Sequence, residues 1–283
     1  MPALVVVQRP APAGLEDVVA GMWFVRGPAP TPFERILPSP DVALVVPLAA
    51  QPYRVHEAAG WRALGGTFVA GLRQEATISS NGAELGNVGA TVRADALRAI
   101  GFDPGVLAGG VREVSGFGAL EALAPAVAAE DALDTLTQTL RARLDDRWRP
   151  DPVVRASIVR FAEDPQPRVS EVARTEGVSP PALVARFRRA TGVTPKAYAD
   201  LMRLHGLLER LTAAALSSSA HADDDGRVVW SELAVESGYY DQSHLTRAFH
   251  RFVGLTPAAY FDGVRGRGPD AVRFVPEEEA PAG

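Results

Sequence analysis

The chain has 283 residues, 47% of them apolar, no cysteine and a formal charge of −5, which is long enough for two domains with ordinary cores. The absence of cysteine excludes disulfides, zinc-thiolate sites and thiol nucleophiles, and His56, His205, His221, His244 and His250 are too scattered for a metal cluster, so neither a metal nor a cofactor is expected. A negative balance argues against a protein that coats nucleic acid without specificity, yet the charge is uneven. Residues 150–267 carry 15 basic against 14 acidic side chains, and the remainder carries 14 against 20.

No apolar run approaches the roughly 18 residues that span a bilayer. The opening MPALVVVQRPAPAG lacks the charged start and long apolar middle of a signal peptide. The expectation is a cytoplasmic protein with no membrane partner.

From Gly21 to about Arg93, short β-like runs recur: GMWFV, ERIL, DVALVVPL, TFVAGL and NVGATV, divided by breakers such as GPAPTP and SNGAELG. Their spacing predicts a small antiparallel sandwich or barrel. If this part holds a small-molecule pocket, Trp23, Arg35, Tyr53 and Trp61 are the candidates, because aromatic walls with one charged group are typical of such sites; core packing is the competing role for each tryptophan.

From about residue 119 to 148 the pattern turns helical. Leu133, Leu136, Leu140 and Leu144 form one apolar stripe, which either covers the sheet or pairs two subunits. GFGAL at 116–120 is only a fragment of a glycine-rich loop, without the full phosphate-binding pattern. RPDP at 149–152 marks a boundary, since proline breaks a helix and restrains the residue before it.

The following segment contains an internal repeat. VSEVARTEGVSPPALVARFRRATGVTPKAY (169–198) aligns with VWSELAVESGYYDQSHLTRAFHRFVGLTPAAY (229–260), matching Ala173 with Ala234, Gly177 with Gly238, Leu183 with Leu245, Phe187 with Phe249, Gly192 with Gly254 and Tyr198 with Tyr260. The second copy carries one extra residue in its turn. Each copy reads as a helix-turn-helix: a short helix ending at a glycine, then a second helix opened by Ser179 or Asp241 as cap, with Pro180 in the first turn where its missing N–H costs nothing. Leu183 and Phe187, or Leu245 and Phe249, face inward at i and i+4.

The doubled motif, with its Asp-Gln-Ser-His turn and Gly-x-Thr-Pro-x-x-Tyr ending, resembles the DNA-binding domain of the AraC/XylS family of transcription regulators over residues 155–262. The resemblance implies an α+β chain of two domains. An N-terminal β-rich sensor or dimerisation domain, cupin-like or a small barrel with covering helices, would occupy 1–149. An all-α double helix-turn-helix would occupy 150–263: first unit about 168–190, linker helix about 195–216, second unit about 229–252. A Gly, Pro and Glu tail at 264–283 reads as flexible. In such a domain the linker helix holds two reading helices in successive major grooves; here it runs from Pro195 to about Leu216, with Tyr198, Leu201, Leu204, Leu208 and Leu211 as its buried side.

The resemblance implies double-stranded DNA as partner, with a small-molecule effector, a homodimer and, for an activator, the transcription machinery as further ones. Its residue roles carry over to Gln242, Ser243, His244 and Arg247 as base readers, with Thr246 and Arg251 toward the backbone. In the first reading helix Pro181, Ala182, Ala185, Arg186 and Arg189 face outward. Arginine suits guanine and glutamine suits adenine, whereas small apolar groups cannot make a two-pronged contact, so the first unit is expected to position more than it specifies. Departures from the family pattern are Leu207 for the usual alanine with Gly206 beside it, Ala185 where an exposed arginine often stands, Leu245 for phenylalanine, and the acidic SSSAHADDDG insertion at 217–226.

Catalysis is not expected. Asp241, Ser243 and His244 adjoin on one turn and helix, so their side chains diverge, whereas a triad needs a base held against its nucleophile by tertiary contacts. The rival to a DNA reader is a ligand- or protein-binding regulator whose DNA module has weak or lost affinity, motivated by Ala185 and the aspartate run at 223–225.

Overall fold

Strand DVALVVPL is apolar at nearly every position, which a strand tolerates only when both of its faces are covered. The computed structural model, which describes residues 3–49, 51–80, 82–164, 166, 168–216, 228–268, 274–275 and 281, shows that arrangement. Val42, Leu44 and Val46 of this strand enter the main core with the helices, and Val45 enters a second cluster between two sheets.

The strands are β1 (Val5–Pro10), β2 (Val19–Pro28), β3 (Phe33–Ile36), β4 (Val42–Pro47), β5 (Tyr53–Glu57), β6 (Gly60–Leu64), β7 (Phe68–Ala70), β8 (Thr77–Ser80), β9 (Glu84–Val92), β10 (Val111–Glu113) and β11 (Phe274–Val275). They form a six-stranded sheet in the order β1-β2-β9-β4-β7-β10 and a five-stranded sheet in the order β11-β3-β8-β5-β6. Each pairing is antiparallel. The β-rich domain expected from the sequence is therefore present as two sheets, packed face to face through Val45, Phe68, Ala70 and Val111 on one side and Val55 and Leu64 on the other. Trp23 lies flat over Gly89, its partner in register; a Cβ there would stand 2.3 Å from the indole, so the close approach requires glycine.

A 3-10 helix at Leu97–Ile100 and the short helices α1 (Pro104–Leu107) and α2 (Gly118–Glu121) follow, then α3 (Ala129–Arg143). Leu133, Leu136 and Leu140 of α3 are fully buried against β2 and β9, so the leucine stripe covers the sheet. GFGAL is structural: Phe117 and Leu120 are buried in the same core.

The C-terminal helices are α4 (Pro152–Glu163), α5 (Val169–Thr175), α6 (Pro180–Thr191), α7 (Pro195–Leu216), α8 (Trp230–Glu236), α9 (Gln242–Val253) and α10 (Pro257–Arg267). The boundary RPDP resolves into an N-cap: Asp151 accepts from the Val153 and Val154 amides, and Pro152 opens α4. The linker helix α7 has 22 residues, roughly 33 Å at 1.5 Å per residue. Its expected buried side is present, and Leu207 joins it at 0% exposure.

One expectation about the C-terminal half changes. Within the tail expected to be flexible, α10 continues to Arg267 and Phe274–Val275 pairs with β3 as an edge strand. The acidic insertion 217–226 lies outside the described residues. Among the described residues no helix is long and apolar enough to cross a membrane.

Candidate nucleic-acid interface

The two repeats fold as the same object twice. In each, a glycine with positive φ (Gly177 at 68°, Gly238 at 79°) turns the chain from the first helix into the second. The second helix is capped by Ser179 Oγ, which accepts from the Ala182 amide at 3.3 Å, or by Asp241 Oδ1, which accepts from the His244 amide at 2.7 Å. Each then ends at a left-handed glycine, Gly192 or Gly254, and the next helix is capped by Thr194 or Thr256 ahead of a proline.

The inward face repeats as well. Phe187 meets Tyr198 with ring centroids 5.4 Å apart, and Phe249 meets Tyr260 at 5.6 Å. Ala173 and Ala234 are fully buried where the two helices of each unit cross. With these groups inside, i, i+3 and i+4 geometry leaves the other face of α6 and α9 outward.

On α9 the outward set is polar. Gln242, Ser243, His244, Arg247 and Arg251 are exposed and Thr246 is half-buried. Among the described residues Arg247 has no ion-pair partner, so its guanidinium is available to a ligand. The Arg251 guanidinium lies 4.6 Å from the Phe252 ring centroid. The Thr246 hydroxyl donates back to the Gln242 carbonyl at 2.9 Å, which commits its only proton within the helix. The Tyr240 amide donates to His244 Nδ1 at 3.3 Å, and the imidazole stands edge-on to Tyr239. A neutral His244 held this way carries its proton on Nε2 and presents a donor.

On α6 the outward set is smaller and partly committed elsewhere. Pro181, Ala182 and Ala185 are exposed, and Arg189 is exposed at its side chain. Arg186 is only half-exposed, because its Nε and Nη2 donate to Asp151 at 2.8 and 2.6 Å. Arg189 lies 3.8 Å from the same carboxylate. Burial works to raise the Asp151 carboxyl, but the hydrogen bonds from Arg186 and from the Val154 and Val153 amides outweigh it and hold the group below its ordinary value. The hydrogen bond to Asp151 correspondingly raises Arg186.

Sequence reasoning missed two residues of this surface. Tyr240 is the extra residue of the longer second turn and is 88% exposed beside the cap of α9; the one-residue offset between the copies was its signal. Asp151 was visible only as a boundary residue, and nothing in its local pattern indicates a partner 35 positions away.

The four candidates for an effector pocket do not converge. Alternation along β5, β6 and β8 puts Tyr53 on the inner face of its sheet, where its hydroxyl donates to Ser79 Oγ at 3.2 Å. The same alternation puts Arg35 and Trp61 on the opposite face, where Trp61 packs against Phe33 and His56. Trp23 belongs to the other sheet and borders an open recess of about 500 Å³ with Gln8, Pro10, Gly21 and Thr91. One pocket shared by all four is thus excluded by strand geometry.

Comparison with known proteins agrees with the repeat. Residues 172–263 match the family model described as a helix-turn-helix domain. No curated protein matches the sequence. Among solved structures, the C-terminal domain of AraT, a response regulator from Geobacillus stearothermophilus, is 21% identical, covers 45% of this chain and 90% of its own, with a TM-score of 0.34. ToxT from Vibrio cholerae is 8% identical over 92% of this chain and 98% of its own, with a TM-score of 0.45. The unsaturated fatty acid bound form of wild-type ToxT from strain SCE256 is 11% identical over 92% and 94%, with a TM-score of 0.43. The paired units described above and the family match coincide: residues 172–263 of this chain form a helix-turn-helix domain.

Proposed function

We propose that the protein is a sequence-specific DNA-binding transcription regulator in which α9 is the principal reader and α6 the positioning one. The observation that carries this reading is the outward face of α9, where Gln242, His244 and Arg247, without an ion-pair partner among the described residues, stand together on a helix whose other face is locked by Leu245, Phe249, Phe252 and Val253. Arg247 suits guanine and Gln242 suits adenine, each contributing roughly 1–3 kcal/mol of discrimination when both prongs engage. On α6, alanine and proline offer contact only to a thymine methyl, and Arg186 is already held by Asp151.

Control enters through the N-terminal domain, by a ligand or by pairing of two copies, to the extent that either binds one arrangement of the readers more tightly than another. A DNA reader works beside the chromosome, which places the protein in the cytoplasm. The charge held between Arg186, Arg189 and Asp151 also favours a second reading, a regulator whose DNA module has weak affinity. Arg247→Ala separates them in a binding titration against a selected duplex and its single-base variants. The proposal expects discrimination at one base position to fall by roughly 1–3 kcal/mol; uniform weakening at every position would show that Arg247 touches phosphate only.

A further inference from the structure

Both reading helices are tied to the β-rich domain, and both at the same end. The last turn of α6 presents the Arg189 carbonyl, which accepts from Arg98 Nε at 3.2 Å. Arg98 is itself held by Asp103 at 3.3 Å, and Asp103 caps α1 through the Gly105 amide at 2.9 Å. α1 packs directly on α6: a Cβ at Gly192 would stand 2.3 Å from the Pro104 carbonyl oxygen. In the second unit the Phe252 carbonyl, in the last turn of α9, accepts from the Ala76 amide at 2.8 Å, just ahead of β8. Beside it Gly254 lies against Arg35.

The C-terminal end of a helix exposes unsatisfied carbonyls and the negative pole of its dipole, so a guanidinium or an amide there is a natural anchor. It also leaves the N-terminal turns, which carry Gln242, Ser243 and His244 or Pro181 and Ala182, free to meet a groove. Through the chain the readers are joined by the linker helix α7, the segment after it and α8, yet the β-rich domain touches each reader separately.

We infer that Arg98 and the Ala76 amide are positioning groups for DNA reading: the β-rich domain, acting as a caliper across both helix ends, fixes the separation of α6 and α9 and therefore the spacing between half-sites that the protein accepts. This rests on the reading of the chain as a two-headed DNA binder and deepens it. Residues far from any base would then contribute to specificity, and a change in the β-rich domain would register as a change in preferred spacing.

The experiment begins with a duplex selected from random sequence by the full chain, followed by duplexes in which two base pairs are inserted or deleted between its half-sites. Two base pairs rotate one half-site by about 70° at about 10.5 base pairs a turn. The wild type is expected to weaken roughly tenfold or more on either change, the loss of one half-site's contacts. Arg98→Ala and Ala76→Pro, each checked for retained helix content and cooperative melting, are expected to narrow that penalty to roughly threefold or less, while Arg98→Lys, which keeps a donor for the Arg189 carbonyl, retains the wild-type penalty. Should Ala76→Pro fail to fold, Arg98→Ala against Arg98→Lys decides alone. If the wild type selects a site and Arg98→Ala discriminates spacing as sharply as the wild type, the caliper is overturned and the DNA reading stands. If the wild type selects no site, the DNA reading itself is overturned and the caliper with it.

Discussion

Arg186 donates two hydrogen bonds to Asp151, from Nε at 2.8 Å and Nη2 at 2.6 Å, so a cation on α6 is held by the cap of α4. The same carboxylate draws Arg189 to 3.8 Å. On the proposed reading, Asp151 competes with phosphate for Arg186 and Arg189, two of the three arginines of α6.

Asp151→Asn isolates that competition, because asparagine still caps α4 while the charge is lost. DNA affinity is expected to rise, and the slope of log affinity against log salt to steepen by about 1–2, as one or two more phosphates are neutralised. Binding titrations between 50 and 200 mM salt, values in the range where this dependence is steep, check it. An unchanged slope would mean that Arg186 stays away from the backbone.

The same pair makes stability depend on pH in a defined direction. The folded Asp151 carboxyl lies below its ordinary value, so its contribution is fully present above the unfolded value of about 3.9 and is lost as pH falls through the lower folded value. Asp151→Asn should cost about 1 kcal/mol at pH 7, a figure reduced for the partial exposure of Arg186, and should cost less at about pH 3, below the unfolded value. Denaturant unfolding of both proteins at the two pH values reads the difference.

Arg73 predicts a gain. Its side chain is nearly buried, its Nη1 donates to Thr77 Oγ1 at 2.8 Å and its Nε has no partner. Burial pushes the guanidinium down to about 10, with the Tyr53 phenol a lesser, opposing influence. A cation with a lowered value destabilises the fold wherever it is charged in both states, and the penalty fades as pH rises through the folded value. Arg73→Met should therefore stabilise the protein by roughly 1–3 kcal/mol at pH 7, seen as a higher melting temperature. A loss of stability would show that the buried charge has a favourable role.

The two helix-turn-helix units were legible because every device that builds them is local. Gly177, Ser179, Pro180 and Gly192 act within one or two turns of where they stand, and Leu183 with Phe187 marks the inward face by spacing alone. The β-rich domain was legible where a strand is apolar throughout, as in β4, and not where it is short and mixed. YRVHE, GWRAL and TISS alternate weakly, because β5 and β6 place one face against a small inner cluster and the other in a ring group of Phe33, His56 and Trp61. Periodicity also gives a face without its partner. It placed Arg186 outward on α6 but carried no sign of Asp151, and it marked the stripe Leu133, Leu136, Leu140 without saying that β2 and β9 lie beneath it. The effector candidates do not converge for the same reason, since a list of aromatic residues does not say which side of a strand each occupies.

The account stands most directly on whether the full chain selects a sequence from random duplex DNA. It predicts enrichment of a two-part motif, its halves about one helical turn apart, about 10.5 base pairs, with one base position of the more sharply defined half relaxed in Arg247→Ala. No enriched motif even at low salt, or a motif that Arg247→Ala leaves intact, would contradict it.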